Sequence, residues 1–304
     1  MPARTLLANL AALLATSLWG ASVVATRVVV QSVPPLTLAV MRFGQGTLVL
    51  LLVLLLFAPA LLRIKRHDVG AIALAGFVIF TCFSILFNLS LSLTEAARGA
   101  MMLATAPLWS VLIGRTLTGE RLALRQIIGI GLSIIGIAVS LLERGLSFGA
   151  GDLGMYLGDA LMLLAALCVA IYGVLARRIL RTYAAITVTA YAMLFGTLLL
   201  LVPLLVLEDV GGALVALDQQ TLLLLVFLGV LGGALAHFLW VQSLSALAAT
   251  QVAVYINLNP LVAAILGAWL LREQISLLFM LGFGLVLSGV LLVNWPHARR
   301  LHRT

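Results

Sequence analysis

Apolar runs of about twenty residues, separated by short polar stretches, recur ten times along this chain. They lie near 7–29, 35–57, 69–92, 96–117, 122–142, 155–176, 183–206, 220–244, 248–271 and 276–295. An apolar helix of about 20 residues crosses a hydrocarbon core of about 30 Å. The connections are too short to hold a soluble domain. The pattern therefore predicts an all-α integral membrane protein with ten transmembrane helices.

The polar punctuation repeats. Displacing the first half by 153 residues lays Ser90, Ser92, Pro107, Gly114, Glu120, Gly129, Gly131 and Gly136 over Ser243, Ser245, Pro260, Gly267, Glu273, Gly282, Gly284 and Gly289. The same shift places Trp19-Gly20 over Tyr172-Gly173 and Gly76 over Gly229, and brings Arg42 near Phe195. A five-span unit reverses direction at each copy, so residues 1–150 and 151–304 are expected to be two inverted five-helix repeats of one membrane domain. Inverted repeats of this kind underlie alternating access around a midplane site.

Composition agrees. Hydrophobic residues make up 63% of the chain and charged ones 9%, with mean hydropathy +1.23; soluble domains carry about 25% charged residues. The net charge of +8 matters through its distribution. With the N-terminus in the cytoplasm, thirteen Arg and Lys residues fall on inner connections, and only Arg27, Arg98, Arg144 and Arg272 on outer ones. That bias fits the positive-inside rule, with both termini cytoplasmic in the cell inner membrane. Scattered over short loops, these bases make no nucleic-acid surface. The first apolar run is longer than a signal-peptide core and is needed by the repeat, so it reads as a span. Cys82 and Cys168 fall within spans, and neither a disulfide framework nor a metal-ligand spacing occurs. No cofactor is expected.

Several polar residues inside spans are candidates for chemistry. Thr81, Ser84, Asn88 and Ser92 share one helix face of span 3, which must meet protein or a watery cavity. Cavity lining and interhelical hydrogen bonding are both open. Ser84 becomes His237 in the second copy, near Trp240. An intramembrane histidine either binds substrate or protons, or rests neutral against a carbonyl. Pro107 and Pro260, halfway along spans 4 and 9, are expected to kink those helices as gating elements and to free carbonyls at Leu103 and Ile256. Around them Met101, Thr105 and Trp109, and in the second copy Tyr255 and Asn257, suit an amphiphilic solute.

Arg42, two turns into span 2, faces an insertion cost of about 2.5–3.5 kcal/mol at the membrane centre. Snorkelling to the outer interface is the favoured expectation and attraction of a substrate carboxylate the alternative. Asp159 is expected to act at a helix N-terminus, and Glu120-Arg121 and Arg272-Glu273 as charges at helix ends. Gly129/Ser133 and Gly284/Ser288 place small residues where helices approach closely, either within the protomer or in a homodimer through spans 5 and 10.

The motifs Trp19-Gly20-Ala21-Ser22, Arg42-Phe43, Ala106-Pro107, Leu117-Thr118-Gly119-Glu120-Arg121-Leu122 with Gln126 and Gly129, and Leu271-Arg272-Glu273-Gln274-Ile275 occur in order. In this order, spacing and duplication the chain resembles the EamA-type branch of the drug/metabolite transporter superfamily over nearly its whole length. Within that branch it looks most like bacterial amino-acid exporters, including the aromatic ones. The resemblance implies a secondary transporter with a small-molecule substrate.

Absences narrow the substrate. No carboxylate lies in span 1 for a lipophilic cation, only Arg42 is in reach of a phosphate, and no Walker-type loop is present for ATP. Export of a small amphiphilic metabolite, most of all an amino acid, is the expectation. A substrate held by Trp19, Arg42, Ser84, Asn88, Met101, Thr105, Trp109, His237, Trp240, Tyr255 and Asn257 would keep its carboxylate chiefly by hydrogen bonds. Other metabolite or drug classes (nucleobase, lipophilic cation, lipid-linked or sugar compound) are the alternative. A polytopic membrane enzyme is a remote one, since clustered acids or a nucleophile with its base are missing; no catalytic residue is assigned.

Overall fold

A computed structural model describes residues 3–118, 123–141, 150–209, 211, 217–244, 255–256 and 258–294. Among them every regular element is helical: α1 (Ala3–Val29), α2 (Pro35–Phe57), α3 (Val69–Gly76), α4 (Phe83–Leu93), α5 (Ala96–Leu103), α6 (Ala106–Thr118), α7 (Leu124–Leu141), α8 (Ala150–Ile179), α9 (Ala185–Leu207), α10 (Gln219–Val226), α11 (Ala236–Leu244), α12 (Leu258–Leu270) and α13 (Leu277–Asn294). Two π-helical segments, Phe77–Cys82 and Phe227–Leu235, join α3 to α4 and α10 to α11. Short 3-10 turns at Pro59–Leu62 and Arg66–Asp68 fill the α2–α3 connection.

Seven helical stretches are long and apolar enough to cross a membrane, and three shorter apolar helices cover 124–139, 258–270 and 277–293. Their outward faces carry large exposed side chains such as Leu56, Phe57, Leu205, Leu207 and Trp269. Such a belt needs lipid around it. The fold is that of a multi-pass membrane protein.

The two halves repeat with a register that changes along the chain. Helix α2 spans 35–57 and α9 spans 185–207, a shift of 150; α1 ends at Val29 and α8 at Ile179, again 150. The first π segment has 6 residues and the second 9, and beyond them Phe83 and Ala236 begin α4 and α11 at a shift of 153. The uniform shift of 153 is therefore corrected for the first two spans. The counterpart of Trp19-Gly20 is Val169-Ala170, not Tyr172-Gly173, and that of Arg42 is Ala192, not Phe195.

Packing contacts follow this mixed register and are exchanged between the halves. A Cβ on Gly46 would lie 3.2 Å from Gly229 O, and one on Gly196 2.6 Å from Gly76 O. Likewise Gly129 would meet Gly289 O at 2.6 Å and Gly136 would meet Gly282 O at 2.5 Å. Real Cβ atoms do not approach to the 2.5–2.6 Å found at Gly196, Gly129 and Gly136, so the helices touch through their backbones there, and the Gly46 contact is tight. The small faces of α7 and α13 are thereby spent within the chain, while Gly131 and Gly284 have nothing within 4 Å.

Several polar groups in the interior are tied to backbone, which hydrocarbon favours. Thr81 Oγ1 donates to Gly196 O (2.9 Å) and Asn88 Nδ2 to Pro35 O (2.9 Å). Ser84 and Ser92 bond back to Phe80 O and Leu89 O of their own helix. Within the span 3 seam, Thr81 and Asn88 thus bond across helices, while Ser84 and Ser92 bond within their own. Helix N-termini receive carboxylates from distant sequence. Glu208 accepts from Leu36 N (2.9 Å), Thr37 N (2.8 Å) and Thr37 Oγ1 (2.8 Å), and Glu273 from Ala96 N (2.7 Å) and Ala97 N (3.1 Å). Both serve donors that a helix cannot satisfy itself.

Candidate functional site

Spans 1, 2, 3 and 8 bring a continuous line of rings and one guanidinium into the interior. Trp19 on α1 meets His237 on α11 edge-on at 5.1 Å and Trp240 at 5.3 Å. His237 continues to Phe80 in the first π segment (5.8 Å), and Phe80 to Phe43 on α2 (5.1 Å). Arg42 lies over the Phe43 ring at 5.1 Å and the Phe87 ring at 5.9 Å. Both π segments contribute. The first carries Phe80, and the second supplies Gly233, whose carbonyl contacts His237 Nδ1 at 2.6 Å. Because a carbonyl only accepts, Nδ1 carries the proton. In the neutral ring Nε2 is then a bare acceptor.

Arg42 is 6% exposed, so the expected snorkelling to the interface does not occur. Its Nη1 reaches Thr26 Oγ1 at 3.3 Å. Its Nε has no hydrogen-bond partner among the described residues. The aromatic faces offset part of the burial cost, about 2 kcal/mol for a desolvated cation–π contact.

The other expected site residues are placed differently. Ser84 and Asn88 are engaged as above. Met101 is fully buried in the apolar core around α5. Thr105 donates to Met102 O at 2.7 Å and is likewise buried. Trp109 is half-buried, with Nε1 lacking an acceptor among the described residues. Tyr255 donates to Asn9 Oδ1 at 2.9 Å, near the start of α1. Ten residues separate Asn9 from Trp19, about 15 Å of helix, so Tyr255 belongs to one end of the bundle rather than to its middle. Asn257 lies outside the described residues.

Pro107 and Pro260 mark breaks rather than kinks. Span 4 divides at Ala104-Thr105 into α5 and α6, with Pro107 in the first turn of α6. In the second copy Pro260 sits in the first turn of α12, and Asn259 N bonds Ile256 O at 3.1 Å. The Ile256 carbonyl is therefore not free, contrary to expectation.

Four neighbours of the candidate site were not expected from sequence. Thr26, Phe43, Phe80 and Phe87 surround Arg42 or His237; a turn-by-turn projection of α2 and span 3 against the arginine would have pointed to the three phenylalanines.

One end of the bundle carries a second polar concentration. Arg98 on α5 and Asp159 on α8 form a buried pair, Nη2 to Oδ2 at 2.6 Å and Nε to Oδ2 at 2.8 Å, and Thr94 Oγ1 adds 3.2 Å to Oδ1. Asp159 therefore acts as the partner of Arg98 and not through the N-terminus of α8, which begins nine residues earlier at Ala150. Arg27 Nη1 donates to Leu91 O at 2.6 Å. Burial pushes the Glu273 carboxyl up, and the amides of Ala97 and Ala96 pull it back. A cleft of about 690 Å³ opens beside these groups, lined by Arg27, Glu95, Arg272 and Glu273 among others. At the opposite end Arg63, Lys65 and Tyr183 line a cleft of about 380 Å³. In the ring cluster Phe43, Phe80 and Phe87 are buried and Trp19, His237 and Trp240 half-buried, and none of them lines either cleft.

A helical membrane bundle of two exchanged halves, with a buried guanidinium set among aromatic rings, has the build of a solute carrier. The EamA-like transporter family model matches residues 6–142 and 156–295, and the chain belongs to that family. It is 27% identical over 289 residues to a probable amino-acid metabolite efflux pump of Escherichia coli, covering 92% of each chain. It is also 30% identical over 235 residues to a probable terminal-alkyne amino-acid exporter of Streptantibioticus cattleyicolor, covering 76% of this chain and 75% of that one. An uncharacterised transporter of Bacillus subtilis is 27% identical over 275 residues. One solved structure shares the fold over 94% of this chain and 95% of its own, at TM-score 0.68 and 20% identity. The chain is a membrane transporter, and its family indicates no enzymatic chemistry.

The buried pair is open to test. Asp159→Asn removes the carboxylate and leaves the Arg98 guanidinium in the interior, which costs about 3–5 kcal/mol. A clear fall in the melting temperature in detergent is expected, with much of it recovered in the double variant Arg98→Met/Asp159→Leu. A single variant melting with the unaltered protein would show that the pair contributes nothing.

Proposed function

We propose that this protein exports small amphiphilic metabolites, amino acids and aromatic amino acids among them, across the bacterial inner membrane by alternating access. The observation that carries this reading is the interior cluster of Trp19, Arg42, His237 and Trp240, drawn from both halves. Rings grip an apolar body, and a few fixed polar groups orient its charged end. The names of the relatives from Escherichia coli and Streptantibioticus cattleyicolor point the same way.

In this reading the seven long and three shorter apolar helices make ten spans, arranged as two inverted repeats. The exchanged contacts of Gly46 with Gly229 and of Gly196 with Gly76 support that arrangement. The arginine bias supports cytoplasmic termini. A homodimer, if formed through α7 and α13, would use the open faces at Gly131 and Gly284.

For topology, single cysteines at Gln31 and Arg63, in a background lacking Cys82 and Cys168, are expected to react with an impermeant reagent from opposite sides. Labelling of both from one side would sink the inverted arrangement.

The broken helices are the moving parts. Spans 3 and 4 form a hairpin around Thr94-Glu95, and the break before Pro107 lets its halves tilt separately. Pro107→Ala or Pro260→Ala is expected to slow turnover more than it weakens substrate binding. Unchanged rates in both single variants and in the double variant would remove the prolines from the cycle.

The substrate class is tested by efflux of labelled aromatic, aliphatic and charged amino acids from proteoliposomes holding the purified protein. Faster loss of aromatic and aliphatic amino acids than from protein-free vesicles is expected. If none of them leaves faster while a nucleobase, lipophilic cation or lipid does, the assignment is wrong.

A further inference from the structure

Arg42 is a permanent cation held 6% exposed between α1, α2 and α4, and no ion pair to it forms among the described residues. Every other buried charge described in the interior of this bundle has a clear occupation. Arg98 and Asp159 have each other, and the half-buried Glu208 and Glu273 cap helices. Arg42 has one long contact to a neutral hydroxyl, Thr26 Oγ1 at 3.3 Å, and an Nε donor that meets no acceptor. A solitary guanidinium buried in a membrane is costly unless it serves a substrate or pathway.

Its structural role is also dispensable by internal comparison. The equivalent position on α9 is Ala192, packed against Gly76 as Arg42 is packed against Gly229. The contact between the halves is made by the backbone carbonyl in both cases, so the packing needs no arginine. The guanidinium was added to a joint that closes without it.

We propose that Arg42 is the carboxylate-binding residue of the transport site, taking a substrate carboxylate on its planar donor edge while Phe43 and Phe87 flank the guanidinium. This rests on the reading of the protein as a metabolite exporter and narrows it to organic acids and zwitterions. It replaces the expectation that the carboxylate is held chiefly by neutral hydrogen bonds. A guanidinium matches a carboxylate with two parallel bonds, which a lysine ammonium does not. The line of rings from Phe43 through Phe80 and His237 to Trp19 and Trp240 then receives the apolar part of the same molecule. In a zwitterion, the bare Nε2 of His237 is the acceptor available to an ammonium group.

The test is equilibrium binding to purified protein, read by tryptophan fluorescence and by ligand-induced thermal shift. The probes are L-phenylalanine and phenylacetate, each against its carboxamide. The unaltered protein is expected to prefer each acid over its amide by on the order of tenfold or more, the range for a hydrogen bond to a charged group. Arg42→Gln is expected to bring that ratio near one, and Arg42→Lys to lower it without abolishing it. The Lys variant keeps the charge if the Gln variant folds poorly. Unaltered discrimination in the Gln or Lys variant, or equal binding of acid and amide by the unaltered protein, would overturn the proposal. Preference for phenylacetate lost with Arg42, in a protein that exports no amino acid, would uphold this site and reject the amino-acid reading instead.

Discussion

The structure depends on backbone contacts between glycines of opposite halves. In hydrocarbon the hydrophobic effect gives no reason for one apolar helix to prefer another over lipid, so close packing must supply the attraction. Here α2 meets the second π segment at Gly46 and Gly229, and α9 meets the end of α3 at Gly196 and Gly76. The α7–α13 pair repeats the device at Gly129, Gly136, Gly282 and Gly289. Each half closes its partner rather than itself. The interior line from Trp19 to Arg42 exists because α11, from the second half, is pressed against α1 of the first, and the second π segment against α2.

The same exchange governs the charged groups. Glu208 and Glu273 come from the second half and satisfy N-terminal amides of α2 and α5 in the first. Asp159 on α8 pairs with Arg98 on α5. Lone ionic groups in the interior would be expensive, and pairing or capping makes them tolerable. Arg42 stands apart in this scheme because its neighbours are rings and a hydroxyl. A transporter must bind its solute and then release it, and a cation already stabilised by aromatic faces loses less when the solute departs than a naked one would.

Much of the fold was legible because it rests on local rules. The boundaries of α2 at Pro35 and Phe57 coincide with the apolar run, and Trp19, Arg42, His237 and Trp240 stood out as polar or aromatic interruptions inside spans. What escaped depended on long-range geometry. The three-residue difference between the π segments is invisible to an ungapped shift, so Trp19 and Arg42 were set over the wrong counterparts. The Thr81–Asn88 face looks like a cavity wall from periodicity alone, yet carbonyls of Gly196 and Pro35 consume it. Asp159 and Arg98 lie 61 residues apart, and nothing in either segment announces the other.

The polar attachments bear on the proposed cycle. The turn between α4 and α5 is held at three places by three different elements: Arg27 of α1 on Leu91 O, Asp159 of α8 on Arg98 and Thr94, and Glu273 on the amides of Ala96 and Ala97. All three lie within eight residues, at one end of the bundle. Rocking of the span 3–4 hairpin away from this end must therefore break a buried ion pair, a helix cap and a carbonyl bond together. Each is costly to leave unmade in a low-dielectric setting, so partial opening is disfavoured. In the proposed cycle, the cleft lined by Arg27, Glu95, Arg272 and Glu273 lies beside the groups whose partners an opening would have to replace.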